Sequence, residues 1–130
     1  TGITSTGALR NISGTNTYEG LVTLGAATRT NSDAGTLTMS NTGTITGATF
    51  GLTVGGAGNT MIASIIGTAS GTLTKDGAGT LSLSGANTFT GAKTVSVGAL
   101  NIQNANAPGT VAGSISVSRT GFSALVFLED

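Results

Sequence analysis

Short alternations of apolar and polar residues recur along the chain. They occupy residues 37–40, 50–54, 81–84, 94–97, 100–102, 114–118 and 125–128. In most of them, Thr, Ser or Asn fills the alternate positions, and Gly or Asn often flanks the run, as is common at turns. Because successive side chains of a strand point to opposite faces, the pattern predicts short β-strands with one face in a core and one in water. Gly, Thr and Ser interrupt every stretch that could form a helix.

Local repeats favour a solenoid over an antiparallel sandwich. The octapeptide Ser-Gly-Thr-Asn-Thr-Tyr-Glu-Gly at 13–20 is similar to Ser-Gly-Ala-Asn-Thr-Phe-Thr-Gly at 84–91, and a looser echo relates residues 34–40 to residues 78–84. Turn–strand units that cannot bury their own apolar face form a continuous core by stacking. At roughly 20 residues per coil, the chain has room for about six to seven coils.

The composition supports a folded chain with a thin core. Hydrophobic residues make up 38% of the sequence and charged residues only 8%, whereas disordered chains usually show the opposite balance. The apolar residues are mostly Leu, Ile and Val, which favours many narrow rungs over one thick core. The chain stops within an apolar run at 124–128. We therefore expect residues 1–130 to be a single β-solenoid segment of a longer array.

Charge and cysteine content narrow the function classes. The formal net charge is zero, and the basic residues are scattered singly at Arg10, Arg29, Lys75, Lys93 and Arg119. Without a basic stripe, nucleic acid is not an expected partner. Cys is absent, which excludes a disulfide framework and suits a chain that must stay threadable during export.

A longer motif extends over residues 73–102. It begins Leu-Thr-Lys-Asp-Gly-Ala-Gly-Thr-Leu-Ser-Leu-Ser-Gly-Ala-Asn-Thr-Phe-Thr-Gly and continues Ala-Lys-Thr-Val-Ser-Val-Gly-Ala-Leu-Asn-Ile. The order of its Gly, Asp, Asn and aromatic positions closely resembles the autotransporter-associated β-strand repeat, also called the passenger-associated transport repeat. A weaker copy at 7–26 lacks the Lys-Asp-Gly lead-in and has Glu19 where the second copy has Thr90.

The resemblance implies a right-handed parallel β-helix in the secreted or surface-displayed passenger of a type V secretion protein. Such repeats are thought to help passengers cross the bacterial outer membrane and fold outside. The implied partners are the passenger's own outer-membrane translocator barrel and neighbouring repeats. Further candidates are host-cell or neighbour-cell surfaces, glycans, and other copies of the chain joined end to end or side by side.

The motif residues are expected at turns between strands. They are Asp76, Gly77, Gly79, Gly85, Asn87, Phe89 and Gly91 in the second copy, and Gly14, Asn16, Tyr18 and Gly20 in the first. Tyr18 and Phe89 share one motif position, and we expect each to close a corner of a coil rather than stack on a sugar, because apolar bulk is scarce. Asn16 and Asn87 suit the same corner, since Asn tolerates left-handed backbone geometry.

The residues offer little catalytic chemistry. The chain has no His and no Cys, so imidazole bases, thiolates and the usual zinc ligands are missing. Asp33 and Asp76 lie in turn-like contexts, where a carboxylate bonds nearby backbone N–H groups. Residues 55–63 nearly fit a calcium-binding nonapeptide, but Thr60 replaces its key Asp, which predicts a tight Gly turn instead. We expect no catalytic, metal-binding or cofactor-binding residues, and no enzyme.

Three functions remain to be compared. The favoured one is a structural and export module of a surface protein, forming a stalk or adhesive surface. The alternative is a Thr-rich ice-binding or carbohydrate-binding solenoid, prompted by Thr-x-Thr strings at 36–38, 42–46 and 72–74, although the spacing of these strings is irregular. A polysaccharide-active β-helix enzyme is disfavoured, because His is missing and the acidic residues are scattered.

Overall fold

The chain forms short strands connected by tight corners. The structure, a computed structural model, describes residues 7–109, 114–117 and 123–128. Its strands are β1 Leu9–Asn11, β2 Thr15–Tyr18, β3 Thr28–Ser32, β4 Thr36–Met39, β5 Thr44–Ile45, β6 Leu52–Gly55, β7 Asn59–Ile62, β8 Ile65–Ile66, β9 Leu73–Lys75, β10 Thr80–Leu83, β11 Lys93–Val95, β12 Gly98–Ile102, β13 Ile115–Val117 and β14 Ser123–Leu128. Within these residues there is no helix that could cross a bilayer.

Every strand pair is parallel, and the strands stack in three faces. Sheet A has the order β1-β3-β6-β9-β11-β13, and sheet B has the order β2-β4-β7-β10-β12-β14. The third face consists of β5 and β8, and a bridge between Thr23 and Thr46 extends it to the preceding turn. The chain visits the faces in turn and winds as a β-solenoid of about five turns. The predicted all-β parallel solenoid is confirmed, with a coil number close to the expected six to seven.

Each coil is named by its sheet A strand, so that coils 1 to 5 begin at β1, β3, β6, β9 and β11. Leu52 lies opposite Leu73, which gives a coil of 21 residues, and Leu73 lies opposite Lys93, which gives one of 20. These lengths agree with the spacing assumed from the sequence. The looser echo at 34–40 and 78–84 is a true structural repeat, because its two copies form β4 and β10 with their flanking residues in the same sheet.

Side chains that point inward form columns along the solenoid. Met39, Ile62, Leu83 and Ile102 lie opposite one another in successive strands of sheet B, and all four are buried. Each such side chain contributes about 1.5–3 kcal/mol through removal of apolar surface from water. The alternate residues of the same strands face outward, which explains the apolar–polar alternation.

The interior also contains polar side chains. Thr30, Thr60 and Thr68 are buried, and their hydroxyl oxygens have no hydrogen-bond partner in the described part of the chain. Thr30 comes from β3, whose sequence Thr-Arg-Thr-Asn-Ser has no apolar residue at all. This strand owes its conformation to its neighbours β1 and β6, with which it pairs in register.

Left-handed backbone geometry occurs at other residues than the asparagines. Among the described residues, Thr49 (φ 69°) and Ala69 (φ 51°) are the non-glycine residues with positive φ. The expectation that Asn16 and Asn87 adopt this geometry is therefore wrong. Both observed positions lie in turns of the corner that leads from the third face into sheet A of the next coil.

Glycine marks the place where successive coils come closest. A Cβ atom at Gly79 would overlap the carbonyl oxygen of Gly58 in the coil below, and would lie 3.0 Å from that of Ala57. Gly79 lies in the corner between sheets A and B, immediately before β10. A side chain at this position would force the two coils apart and lengthen the ladder hydrogen bonds next to it.

Replacing Gly79 should therefore be costly. We expect Gly79→Ala to lower the free energy of unfolding by about 1–3 kcal/mol, because the added methyl group overpacks the coil interface. The matched control is Gly25→Ala, where a Cβ atom meets nothing within 4 Å, so a change of about 0.5 kcal/mol or less is expected. Urea unfolding followed by circular dichroism measures both variants. Equal losses would contradict the steric explanation.

Candidate functional site

The motif segment 73–102 contains side chains that join successive coils. Asn87 follows β10 and is buried, with 2% of its surface exposed. Its Oδ1 accepts a hydrogen bond from the backbone N–H of Ile66 at 2.7 Å, and its Nδ2 donates to the carbonyl oxygen of Ala107 at 2.6 Å. One amide side chain therefore links the coil before it to the coil after it.

Phe89 fills the core two residues further on. It is fully buried, as expected for an aromatic side chain that closes a corner of the coil. The ammonium nitrogen of Lys93 lies 4.7 Å from the centre of the Phe89 ring, within the range of a cation–π interaction. Phe89 is thus a packing residue, and its ring offers no exposed face to a sugar.

Two lysines of the segment are buried, which the sequence did not indicate. Lys75 lies between Val54 and Val95 in an inward column of sheet A, and only 2% of its surface is exposed. Its Nζ donates to the carbonyl oxygens of Gly77 and Val97, which belong to corners of successive coils. The side chain therefore follows the core and delivers its charge to the corner between sheets A and B.

Burial shifts both lysines toward their neutral forms. Desolvation lowers the pKa of Lys75 from 10.5 to about 8, against the attraction of Asp76 and with the repulsion of Arg29. Desolvation also lowers the pKa of Lys93, which lies between Leu73 and Ile115 in the neighbouring column. Charged amines inside the solenoid reduce its stability at neutral pH.

The acidic residues Asp33 and Asp76 pair with arginines on the outer surface. Arg10 Nε donates to Asp33 Oδ2 at 2.8 Å, and Arg29 Nη1 donates to Asp76 Oδ2 at 2.7 Å. The hydrogen bond from the Arg10 guanidinium holds the pKa of the Asp33 carboxyl below its usual value. Both carboxylates lie in corners after sheet A strands. Asp33 Oδ1 also accepts a hydrogen bond from the side-chain amide of Asn31, whereas Asp76 Oδ1 is buried without a hydrogen-bond partner among the described residues. The partners described for these carboxylates are therefore side chains and not the expected backbone N–H groups. No cluster of three potential metal ligands occurs in the part of the chain that the structure describes.

The motif residues are distributed over several parts of the coil. Asp76, Gly77 and Gly79 lie in the corner between sheets A and B, and Gly85, Asn87, Phe89 and Gly91 lie in the segment from β10 to β11. In the first copy, Gly14 and Gly20 lie before and after β2, but Asn16 and Tyr18 lie on β2 itself. The expectation of turn positions is therefore wrong for Asn16 and Tyr18.

The two octapeptides consequently have different places in the solenoid. Tyr18 lies opposite Met39 in sheet B and is 38% exposed, whereas Phe89 follows sheet B and is buried. A coil has three strand–corner units with similar steric requirements, so similar sequences can occupy different corners. The proposed equivalence of Tyr18 and Phe89 is not present in the structure.

The calcium-like stretch 55–63 forms an ordinary corner and strand. It runs from the end of β6 through the glycine corner into β7. Thr60 points into the core, and Asn59 Oδ1 accepts a hydrogen bond from the backbone N–H of Thr80 at 2.9 Å. The Asn59 side chain therefore joins coil 3 to coil 4, whereas the Thr60 hydroxyl makes no hydrogen bond within the described part of the chain.

Two cavities lie at the first coil. One of about 520 Å³ is lined by residues that include Leu9, Tyr18, Val22 and Leu24, and one of about 330 Å³ lies beside it. Tyr18 contributes to both cavities, which lie in and around the interior of coil 1. Most of their lining residues are exposed or half-buried, so both cavities are open to the surface.

The repeat in the motif segment can be compared with known families. Residues 73–102 match the family model described as passenger-associated-transport-repeat. The matched residues begin with the first residue of β9 and end with the last residue of β12, so they cover coil 4 and both sheet strands of coil 5. Neither a curated protein nor a solved structure matches the chain.

The passenger-associated transport repeat and the solenoid fold together fit a segment of an autotransporter passenger. The repeat family that this model describes implies secretion or surface display. The weaker copy at 7–26 lies outside the matched residues. The features that distinguish the matched coils are the bridging Asn87, the buried Phe89 and the two interior lysines.

Removing the bridging amide should destabilise the repeat. We expect Asn87→Ala to lower the free energy of unfolding by about 2–4 kcal/mol, because it leaves the Ile66 N–H and the Ala107 carbonyl without partners in the interior. The control is Asn104→Ala, which removes two exposed hydrogen bonds, one donated to the Ser84 carbonyl oxygen at 3.3 Å and one accepted from the Asn106 N–H at 2.9 Å, and should cost about 1 kcal/mol or less. Chemical denaturation distinguishes the two, and a similar loss in both variants would count against the bridge.

The interior lysine predicts a pH dependence of stability. Above pH 8 the folded chain releases the Lys75 proton, while the unfolded chain keeps it until about pH 10.5. The free energy of unfolding should therefore rise between these values, by about 1–3 kcal/mol, and the destabilisation should be fully present below pH 8. Lys75→Met should be more stable than the parent at pH 7 and should show a smaller rise. Denaturation midpoints measured from pH 7 to 10 test this, and an unchanged slope in the variant would refute it.

Proposed function

We propose that this chain is a structural segment of an autotransporter passenger, and that its coils assist export across the outer membrane. The observation that carries the proposal is the match of residues 73–102, whose limits coincide with the strands of two stacked coils. The match spans one complete coil and both sheet strands of the next, which supports a role for stacked coils. In this proposal the coils outside the match extend the same solenoid as a stalk or adhesive surface.

The solenoid supplies a physical mechanism for export. Each coil pairs in register with the coil before it, so chain that has left a pore can dock on a rung that is already folded. Docking buries interior residues such as Leu81 and Leu83 and forms the hydrogen bonds of Asn87. The free energy released on docking opposes movement of the chain back into the pore.

The partners in this proposal are the passenger's own translocator barrel and the neighbouring repeats. The location is the outer face of the outer membrane or the surrounding medium, which the family implies. Contacts with host cells, neighbouring cells or glycans would then use the outer surfaces of the sheets. Lateral or end-to-end contact between copies would use the same surfaces or the open strand edges.

We also propose that the chain acts without catalysis. The sequence contains neither His nor Cys. The carboxylates of Asp33 and Asp76 are engaged by Arg10 and Arg29, so neither is placed as a free base or nucleophile beside a cavity. These observations support a mechanical role over a chemical one.

Export should depend on the repeat more than on an equivalent coil outside it. The chain is placed between a signal peptide and a translocator barrel in a Gram-negative host, and surface display is measured by protease accessibility on intact cells. Deleting residues 73–102 should reduce display. Two further variants each lack one whole coil, either residues 73–92 or residues 52–72, so that the remaining strands can still pair in register. Deletion of 73–92 should reduce display more than deletion of 52–72. Unchanged display after deletion of 73–102 would refute the export role.

A second candidate function is supported by the outer surface of sheet B. Thr15 and Thr17 of β2 lie opposite Thr36 and Thr38 of β4, so their outward hydroxyl groups form short rows. The rows are interrupted in β7, where Met61 occupies the position opposite Thr38 and is 42% exposed. This surface could bind ice or a carbohydrate, although its order is incomplete.

Two measurements separate this candidate from a purely structural role. A thermal-hysteresis assay tests ice binding, and retention on insoluble polysaccharides tests carbohydrate binding. We expect no thermal hysteresis, because a row of two Thr pairs is short and Met61 interrupts it. If either activity is observed, Thr38→Lys on sheet B should abolish it, while Thr53→Lys on sheet A should leave it unchanged.

A further inference from the structure

Arg29 and Asp76 form an ion pair between coils that are not neighbours. Arg29 lies on β3 of coil 2, and Asp76 follows β9 of coil 4. Arg29 Nη1 nevertheless donates to Asp76 Oδ2 at 2.7 Å, across 47 residues of sequence. Because sheet A has the order β3-β6-β9, strand β6 of coil 3 lies between the two residues. The ion pair therefore passes over the outer surface of an intervening coil.

Gly55, the last residue of β6, makes this path available. A Cβ atom at Gly55 would lie 2.6 Å from the guanidinium carbon of Arg29 and 2.6 Å from Asp76 Oδ1. Any side chain at this position would therefore displace one of the two charged groups. Asn31 of the same strand as Arg29 orients the guanidinium, since its Oδ1 accepts hydrogen bonds from Arg29 Nε at 3.2 Å and from Nη2 at 3.0 Å.

We propose that Arg29, Gly55 and Asp76 form a clasp that makes coils 2, 3 and 4 open and close as one unit. A solenoid held only by nearest-neighbour contacts can separate at one coil interface without affecting the next. With the clasp, separation of coil 2 from coil 3 also breaks the ion pair between Arg29 of coil 2 and Asp76 of coil 4. Separation of coil 4 from coil 3 breaks the same ion pair. The proposal concerns the cooperativity of the fold and does not depend on the export role.

The other ion pair of this surface provides a natural comparison. Arg10 and Asp33 belong to coils 1 and 2, which are direct neighbours, so their pair strengthens a single interface. The clasp strengthens two interfaces at once, although none of its charged groups belongs to the coil that it encloses. This difference gives the two pairs distinct signatures in hydrogen exchange.

The test is amide hydrogen exchange on the full 130-residue chain with Asp76→Asn. The informative amides are those of Gly58, Asn59 and Ala63 in coil 3, which donate to carbonyl oxygens of coil 2. Their exchange therefore reports on the interface between coils 2 and 3, to which Asp76 of coil 4 does not belong. We expect their exchange to become about two- to fivefold faster, in keeping with the modest strength of a partly exposed ion pair. High NaCl should have the same effect on the parent and none on the variant.

A second variant breaks the clasp without removing a charge. Gly55→Ala should accelerate the same amides, and the double variant with Asp76→Asn should add nothing further, because both changes remove one interaction. Arg10→Gln is the control: it should accelerate the Asp33 amide, which bonds to Asn11 of coil 1, and leave the coil 3 amides unchanged.

Two outcomes would overturn the clasp. In the first, Asp76→Asn accelerates only the amides between coils 3 and 4, such as that of Ser84, which donates to the Ile62 carbonyl oxygen. In the second, exchange becomes uniformly faster throughout the chain, including at Gln103 in coil 5, which indicates a general loss of stability. Selective acceleration at both interfaces of coil 3 supports the clasp.

Discussion

Successive coils of this solenoid approach so closely at the corner between sheets A and B that backbone carbonyl groups occupy the space where side chains would otherwise stand. The carbonyl oxygen of Gly58 lies where a Cβ atom of Gly79 would be. The in-register parallel ladders depend on this approach, because a wider corner would pull the flanking strands apart. The same corner provides the carbonyl oxygens that receive the Lys75 ammonium group. The close approach of coils at this corner thus explains why glycine is needed there, why the strands stay in register and where the Lys75 charge lies.

The parallel all-β solenoid and the repeat at 73–102 could be predicted from the sequence. Apolar and polar residues alternate there, and this alternation indicates directly which side chains are buried. The sequence could not predict β3, whose polar sequence becomes a strand only through pairing with neighbouring coils. The interior lysines were also missed, since Lys is normally exposed and nothing local marks Lys75 or Lys93 as inward. The octapeptide at 13–20 was assigned to the wrong corner, because identical turn residues suit any of the three corners of a coil.

The interior combines apolar columns with groups that reduce stability. Lys75 has a lowered pKa, and the hydroxyl of Thr60 is buried without a hydrogen-bond partner among the described residues. Asn87, in contrast, satisfies its polar atoms by linking three coils. Stability is therefore concentrated in contacts that exist only after neighbouring coils have stacked. Such a distribution accords with the proposed export role, in which the chain passes a pore unfolded and gains its stability outside.

The corner that follows sheet B varies in length while the ladders remain intact. Residues 40–43 connect β4 to β5 in coil 2, whereas residues 63–64 make the equivalent connection in coil 3. Asn41 stabilises the longer connection, because its side chain donates to the Glu19 carbonyl oxygen at 2.9 Å and accepts from the Gly43 N–H at 2.8 Å. Length at this corner is thus independent of the strand register. A foreign peptide grafted between Ser40 and Gly43 would be held at a fixed height on a rigid frame, and grafts in several coils would form a vertical array with a spacing set by the ladder.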